Sequence, residues 1–396
     1  MTEFPDMQST PTGSRGGGTE DARSGSEGGV EARDVARGIL ATFQRSGAIL
    51  ADTEILQPAD LLLDLYGEDI RARAFVTRDP VRGEFILRPD FTVPVARKYM
   101  SGVPGETRFT YLGPVWRIQP PDSVRSPESL QVGYEIFGSE DRAGTDAEVF
   151  GLFHEVLAAD TLDVVVGDMG ILLAAIACLE TPERRKVMLR RHLWRPGRFR
   201  KLLDRFSCTR DERSSPNETR ARANEPGPNR SGGTGDEVDV HIGLREPTDI
   251  AARHRELEEE ARTPPISRHE VVTIEAVLDL GGTMTTALAE LERLLLGMPL
   301  LESAVAAFSD RRDALRSVSV DVDNLRFASG HGRRTMEYYD GFVFGFRTRD
   351  RHRWPAVASG GRYDALTGRL GQGRSVPAVG GVIRPDTLTA IRAGLT

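Results

Sequence analysis

Lysine is almost missing from this 396-residue chain: it occurs only at Lys98, Lys186 and Lys201, so nearly all of the positive charge is arginine. That skew reads as a bias of base composition in the coding sequence, not as a functional signal. Cysteine is scarcer still. Cys178 and Cys208 are too few for a disulfide framework or a metal cluster, and they fit a reducing compartment. Cys178 lies in an apolar run and is expected in the core; Cys208 borders a polar stretch and is expected at the surface. Long hydrophobic runs are absent. The most apolar stretch, Met169 to Leu179, is too short to cross a bilayer, and the first residues lack the basic-then-apolar order of a secretion signal. A cytoplasmic protein without a membrane partner is the expectation. An excess of positive charge is missing too. The 59 acidic residues outnumber the 52 basic ones and leave a net charge of −7, which argues against nucleic acid as a partner.

What is present is a globular composition, 39% hydrophobic, interrupted twice. Residues 1–31 are rich in Gly, Ser, Thr and charge and are expected to be a disordered tail. A second polar segment, 209–235, holds no aliphatic side chain larger than alanine and is expected to loop out of a folded domain. Between and beyond them the pattern alternates. VARGILATFQRSG has helical spacing and ends at Gly47. FILRP, TRFTYLGPVWRI, LQVGYEIFG and LDVVVGDMG read as strands. Residues 171–206 and 249–308 read as mainly helical, with a break at Pro264–Pro265. Strand signals return in SVSVDVD and EYYDGFVFGF. This is an α+β pattern with an antiparallel sheet, not a βαβ repeat. The divisions are a core over 32–170, a mainly helical insertion over 171–315, and a return to the core over 316–396.

The chemistry-bearing residues concentrate in a few strands. In LQVGYEIFG, period-2 alternation puts Gln131, Gly133 and Glu135 on one face. A glutamine and a glutamate around a glycine can floor a pocket for an ammonium, or simply face solvent. Asp90 and Thr92 stand two apart in LRPDFT. Arg117 follows GPVW, with Arg125 in the loop beyond. Arg334, Tyr338 and Tyr339 precede the FVFGF strand, and ASGGRYD supplies paired glycines, Arg362 and Asp364. Gly-Gly-Arg-Tyr alone reads as a turn. The glycines open no βαβ helix, so no dinucleotide cofactor is expected.

Taken together, LRPDFT at 87–92, GPVWR at 113–117, QVGYE at 131–135, RRTMEYY at 333–339 and GGRYD at 360–364 resemble the histidyl-tRNA synthetase family, in order and nearly in spacing. The resemblance implies a class II aminoacyl-tRNA synthetase-like antiparallel sheet flanked by helices, carrying a histidine pocket. Asp90, Phe91, Thr92, Gln131 and Glu135 would lie at the ligand, with the polar ones around its α-ammonium. Arg117 would face the carboxylate, or the phosphate of an activated ligand, Arg334 would reach toward the carboxylate, and Tyr338 and Tyr339 would flank the imidazole. The catalytic parts of a synthetase are not matched. Thr387 stands where the last motif of the family has an arginine. Gln119 replaces an acid, Pro127 and Ser129 replace a basic and an aromatic residue, and no part of this sequence is expected to supply an anticodon-reading domain. A closer resemblance, in ILQPADLLLDLYGEDIRARAF and LRPDFTVPVARKY, is to the regulatory subunits of ATP phosphoribosyltransferase. It implies a non-catalytic chain without cofactor or metal, at least a homodimer within a hetero-oligomer. Its partner would be a short-form catalytic subunit, and L-histidine its feedback effector. An amino-acid-activating enzyme is the alternative.

Overall fold

A computed structural model describes residues 20–66, 73–120, 123, 125–208, 247–295, 301–333, 338–349 and 354–394. The segment expected to loop out at 209–235 lies outside them, as does Arg334. Of the tail expected over 1–31, residues 1–19 lie outside, and the remainder is helical. The first helix, α1, runs Glu20–Arg45. Ala32, Ala36, Ile39 and Phe43 fall on one face of it and are buried. Gly47, at φ +87°, turns the chain out of it.

The core is built on β1 (Ile49–Leu50), β5 (Thr107–Trp116), β6 (Glu128–Phe137), β7 (Asp163–Asp168), β8 (Gly281–Thr283), β9 (Arg326–Ala328), β10 (Phe342–Arg347), β11 (Ala358–Arg362) and β12 (Ala378–Ile383). They form one nine-stranded sheet in the order β1-β5-β6-β12-β11-β10-β7-β9-β8. The pairings are antiparallel except β1 with β5 and β7 with β9. The sheet is therefore antiparallel through its middle, as expected. Its central strands come from two distant parts of the chain, with β12, β11 and β10 filling the space between β6 and β7. A small sheet, β2 (Leu56–Pro58), β4 (Gly83–Leu87) and β3 (Val76–Asp79), sits before α3 (Thr92–Met100). Helix α2 (Ala59–Tyr66) lies between β2 and β3.

Helix α4 (Arg142–Val156) covers the sheet with Val149, Phe150 and Phe153, and Phe150 packs on Phe342, Phe344 and Phe346 of β10. Between β7 and β9 come α5 (Met169–Ala177), α6 (Glu183–Arg191), α7 (Pro196–Ser207), α8 (Pro247–Arg262), α9 (Arg268–Asp279), α10 (Met284–Leu294) and α11 (Glu302–Ser317). Helices α12 (Asp364–Leu370) and α13 (Pro385–Arg392) complete the fold. No helix among the described residues is long and apolar enough to cross a membrane.

Three local expectations, for SVSVDVD, the Gly360-Gly361 pair and the two cysteines, differ from what folds. SVSVDVD is a turn, not a strand: Val320 and Val322 are buried while Val318 is exposed, and Asp321 draws the chain round by accepting from the Asn324 amide and side chain. The stretch 249–308 is mainly helical, and within it lies β8, a Gly281-Gly282-Thr283 strand that pairs with β9. Gly360 and Gly361 lie inside strand β11 and not in a turn. Cys178, at the C-terminal cap of α5, and Cys208 are both half-buried, so neither is fully core nor fully exposed.

Beneath the sheet runs a buried ionic network. Asp146 of α4 accepts from Arg311 Nε at 2.7 Å and from Arg362 Nε at 2.9 Å. Arg311 also pairs with Asp168, which caps α5 by accepting from the Gly170 amide. Arg362 continues to Asp364 at the start of α12. Five elements, α4, α11, β7, β11 and α12, are thereby joined by charge-assisted bonds in a dry interior.

Candidate functional site

The face of β6 that carries Gln131, Gly133 and Glu135 is the floor of a polar site. Glu135 is fully buried. Its Oε1 accepts from Thr92 Oγ1 at 3.1 Å and Tyr111 OH at 3.0 Å, and its Oε2 from Tyr363 OH at 2.5 Å. No arginine or lysine of the described residues forms an ion pair with it. Burial pushes its pKa up to about 7; the three hydroxyl donors oppose that rise and the nearby Asp90 charge adds to it. Burial also pushes the Tyr111 and Tyr363 phenols well above their usual range, so both remain donors.

The strands hold this carboxylate by subtraction of side chains. Gly380 of β12 lies opposite Glu135, and a Cβ there would stand 1.5 Å from Oε2. Gly133 lies opposite Tyr111, and a Cβ there would stand 2.2 Å from its ring. The room that Gly133 leaves is therefore filled by Tyr111, which reaches along the face to Glu135, and is not open to a ligand. Gly380→Ala is expected to displace the carboxylate and cost about 1–3 kcal/mol or more, read as a lowered urea midpoint. An unchanged midpoint would show that Glu135 has a second rotamer available to it.

Asp90 and Thr92 enter from the loop and first turn of α3. Asp90 is buried, and its Oδ1 accepts from the Val93 amide at 3.4 Å. Phe91 is buried between the Arg88 guanidinium, 3.9 Å above its ring, and Tyr111, stacked at 4.4 Å; its visible contacts there hold Tyr111 in place. Gln131 is buried, and its Oε1 has no hydrogen-bond partner among the described residues. A buried acceptor left without a donor costs roughly 1–3 kcal/mol unless something outside the chain supplies one. Arg117, half-buried, donates from Nε to Pro89 O at 2.7 Å, next to Asp90. Tyr339 is buried and Tyr338 half-buried, with ring centroids 4.8 Å apart, and Tyr363 is edge-on to Tyr338 at 5.8 Å.

Eight of the nine expected residues are thus visible in one region of the sheet, and the ninth, Arg334, lies outside the described residues. Tyr111 and Gly380 were not expected there. Tyr111 stands two residues before Gly113 and faces the same side, a signal readable only once the partner strand is known. Tyr363 stood within GGRYD without a role. The chemistry of the region is that of an acid end, Glu135 and Asp90, joined through Gln131 to an end carrying Arg117. Among the described residues no group of three or more His, Cys, Asp or Glu side chains could hold a metal ion.

The family model for histidyl-tRNA synthetase matches residues 29–205 and 251–388. An ATP phosphoribosyltransferase regulatory subunit from Mesorhizobium japonicum is 30% identical over 376 residues, covering 90% of this chain and 97% of that one. One from Rhizobium meliloti is 31% identical over 388 residues, covering 90% and 96%. Among solved structures, an ATP phosphoribosyltransferase regulatory subunit/histidyl-tRNA synthetase from Bacillus halodurans has a TM-score of 0.61 at 20% identity, covering 98% of this chain and 83% of that one. Histidyl-tRNA synthetase from Nostoc has a TM-score of 0.60 at 16% identity, covering 93% and 72%. These two show the same class II fold.

Proposed function

The chain belongs to the histidyl-tRNA synthetase family, among its ATP phosphoribosyltransferase regulatory subunits, and from that premise we propose that it activates a short-form catalytic subunit and reverses that activation when L-histidine occupies the site on β6. The regulatory role in histidine biosynthesis, and with it a catalytic partner, follow from the family. The observation that supports histidine is the acid end of the site. Among the described residues, a buried carboxylate with only hydroxyl partners and a buried amide oxygen with none suit a cationic donor, and an α-ammonium is one. Asp90, Thr92, Gln131 and Glu135 would take the ammonium, Arg117 and Arg334 the carboxylate, and Tyr338 and Tyr339 the imidazole, with Phe91 behind them. For histidine to act as an effector it must bind the activating and inhibited states of the complex unequally; a coupling of about 1–3 kcal/mol is typical.

The reading assigns the chain no aminoacylation of its own. Thr387, buried in the first turn of α13, offers no guanidinium to a triphosphate, and loss of one preorganised donor alone costs on the order of 10²–10³ in rate. It needs no cofactor and places the protein in the cytoplasm, as a homodimer within the hetero-oligomer. The exposed apolar edge at Ile49, Leu50, Ile55 and Leu56 is the surface a second copy would cover.

The deciding experiment is an ATP phosphoribosyltransferase assay on the catalytic subunit of the same organism, with and without this chain and L-histidine. Activation reversed by histidine is expected. No activation and no co-purification would sink the reading and turn attention to amino-acid-dependent ATP–pyrophosphate exchange. On the isolated chain, L-histidine at 100 times its dissociation constant is expected to add about 2.7 kcal/mol of stability. An unmoved melting temperature at millimolar histidine would remove the pocket from the account.

A further inference from the structure

Arg384 stands three residues before Thr387, out of register with the arginine that a synthetase would have. The sheet gives it another place. β12 pairs with β6 from Ala378 opposite Phe137 to Ile383 opposite Val132, with Gly380 opposite Glu135 and Val382 opposite Gly133. One step further along both strands sets Arg384 beside Gln131. It therefore leaves the sheet on the face shared by Gln131, Gly133 and Glu135. Its amide donates to Val357 O at 2.8 Å, which carries the same register across to the β11 side.

The side chain is held in place. Nη1 donates to Ala356 O at 2.8 Å and Nη2 to Ser359 Oγ at 3.1 Å. Both acceptors are neutral. Among the groups that act on it electrostatically, the guanidiniums of Arg117 and Arg125 disfavour its charge and the Tyr339 and Tyr338 hydroxyls favour it. Burial, and then Arg117, pull its pKa down to about 10. A guanidinium fixed by neutral acceptors and crowded by another guanidinium suits an anion supplied from outside the chain. The neighbouring Gln131 Oε1, buried and without a donor, opens on the same face.

We propose that Arg384, with Arg117, forms the anion-recognising end of this site and makes a carboxylate on the ligand a condition of tight binding. The inference rests on the reading above that the site takes an amino acid. It adds a specificity-determining residue that reaches the site from the end of β12. A site built to bond a charged group rejects the analogue that lacks it.

The test is calorimetric binding of L-histidine and of its amino alcohol, L-histidinol, to the full chain as wild type and as Arg384→Gln. Histidinol keeps the ammonium and the imidazole and has CH₂OH in place of the carboxylate. Wild type is expected to prefer histidine, and Arg384→Gln to weaken histidine roughly 10–100-fold while leaving histidinol unchanged. A wild type that binds both ligands equally overturns the inference, as does a variant that loses both alike or keeps the preference. A wild type that binds neither sinks the amino-acid reading itself. Should circular dichroism show Arg384→Gln unfolded, Arg384→Lys is read the same way, with a loss confined to histidine supporting the inference and an equal loss for both ligands overturning it.

Discussion

Asp146→Ala is expected to destabilise the fold by about 3–5 kcal/mol, the largest loss of any single truncation in the core. Asp146 is fully buried and is the carboxylate shared by Arg311 and Arg362. Taking it away leaves two guanidiniums in a dry interior. Arg311 keeps Asp168 and Arg362 keeps Asp364, but each loses the partner that lies between them. The cost comes from the charges left behind, not from a large favourable energy of the pair, since buried ion pairs are offset by desolvation. Urea titration followed by circular dichroism measures it. A loss under about 1 kcal/mol would show that the arginines reach water or other acceptors once Asp146 is gone. A double variant, Asp146→Ala with Arg311→Met, is expected to recover part of the loss by removing one of the stranded charges.

The second large effect runs in the opposite direction. Glu135→Gln is expected to stabilise the ligand-free protein at pH 8 by about 3 kcal/mol, because the free energy of keeping the buried carboxylate ionised is removed, and to abolish stabilisation by histidine. Glu135 is raised from 4.5 to about 7, chiefly by burial. Below about 4.5 both folded and unfolded chains hold its proton, so it is neutral in effect. Between 4.5 and about 7 the unfolded chain releases the proton and the folded one keeps it, so stability falls as the pH rises. Above about 7 the full cost is present. Glutamine carries no such burden, so the gain of the variant over wild type should grow from near zero at pH 4.5 to its full value at pH 8. A gain that is constant with pH would assign the effect to packing. A variant that gains stability and still responds to histidine would place the effector's ammonium elsewhere.

The strand face of Gln131, Gly133 and Glu135 was legible because strand periodicity needs only local spacing, and so was the antiparallel middle of the sheet. The hidden parts depend on partners far along the chain. Tyr111 reaches Glu135 from β5 and Tyr363 from the N-cap of α12, just past β11, and no local pattern links the three. The glycine pair of β11 looked like a turn because glycine is common in turns. It is a strand because Gly361 lies opposite Gly380 and Gly360 opposite Gly381 on β12, and a Cβ on Gly360 would stand 2.4 Å from Gly380 O. SVSVDVD had the alternation of a strand, but Val320 and Val322 anchor a turn, and among the described residues no partner strand is opposite them. Arg384 was visible as a residue and lost its meaning when measured only against a motif, since its place is set by its register with β6.

The order of strands across the large sheet also sets a timetable for synthesis. β6 and β7 leave the ribosome early, but their neighbours β10, β11 and β12 are encoded after the whole run of helices α5 to α11. At about 5–20 residues per second the nascent chain spends many seconds with the inner edges of both strands unpaired. Glu135 is then still open to water, where it ionises freely. Only when Gly380 closes over it is that carboxylate sealed away, so assembly of the site is among the last acts of folding, and the exposed edges before it are where a chaperone would find work.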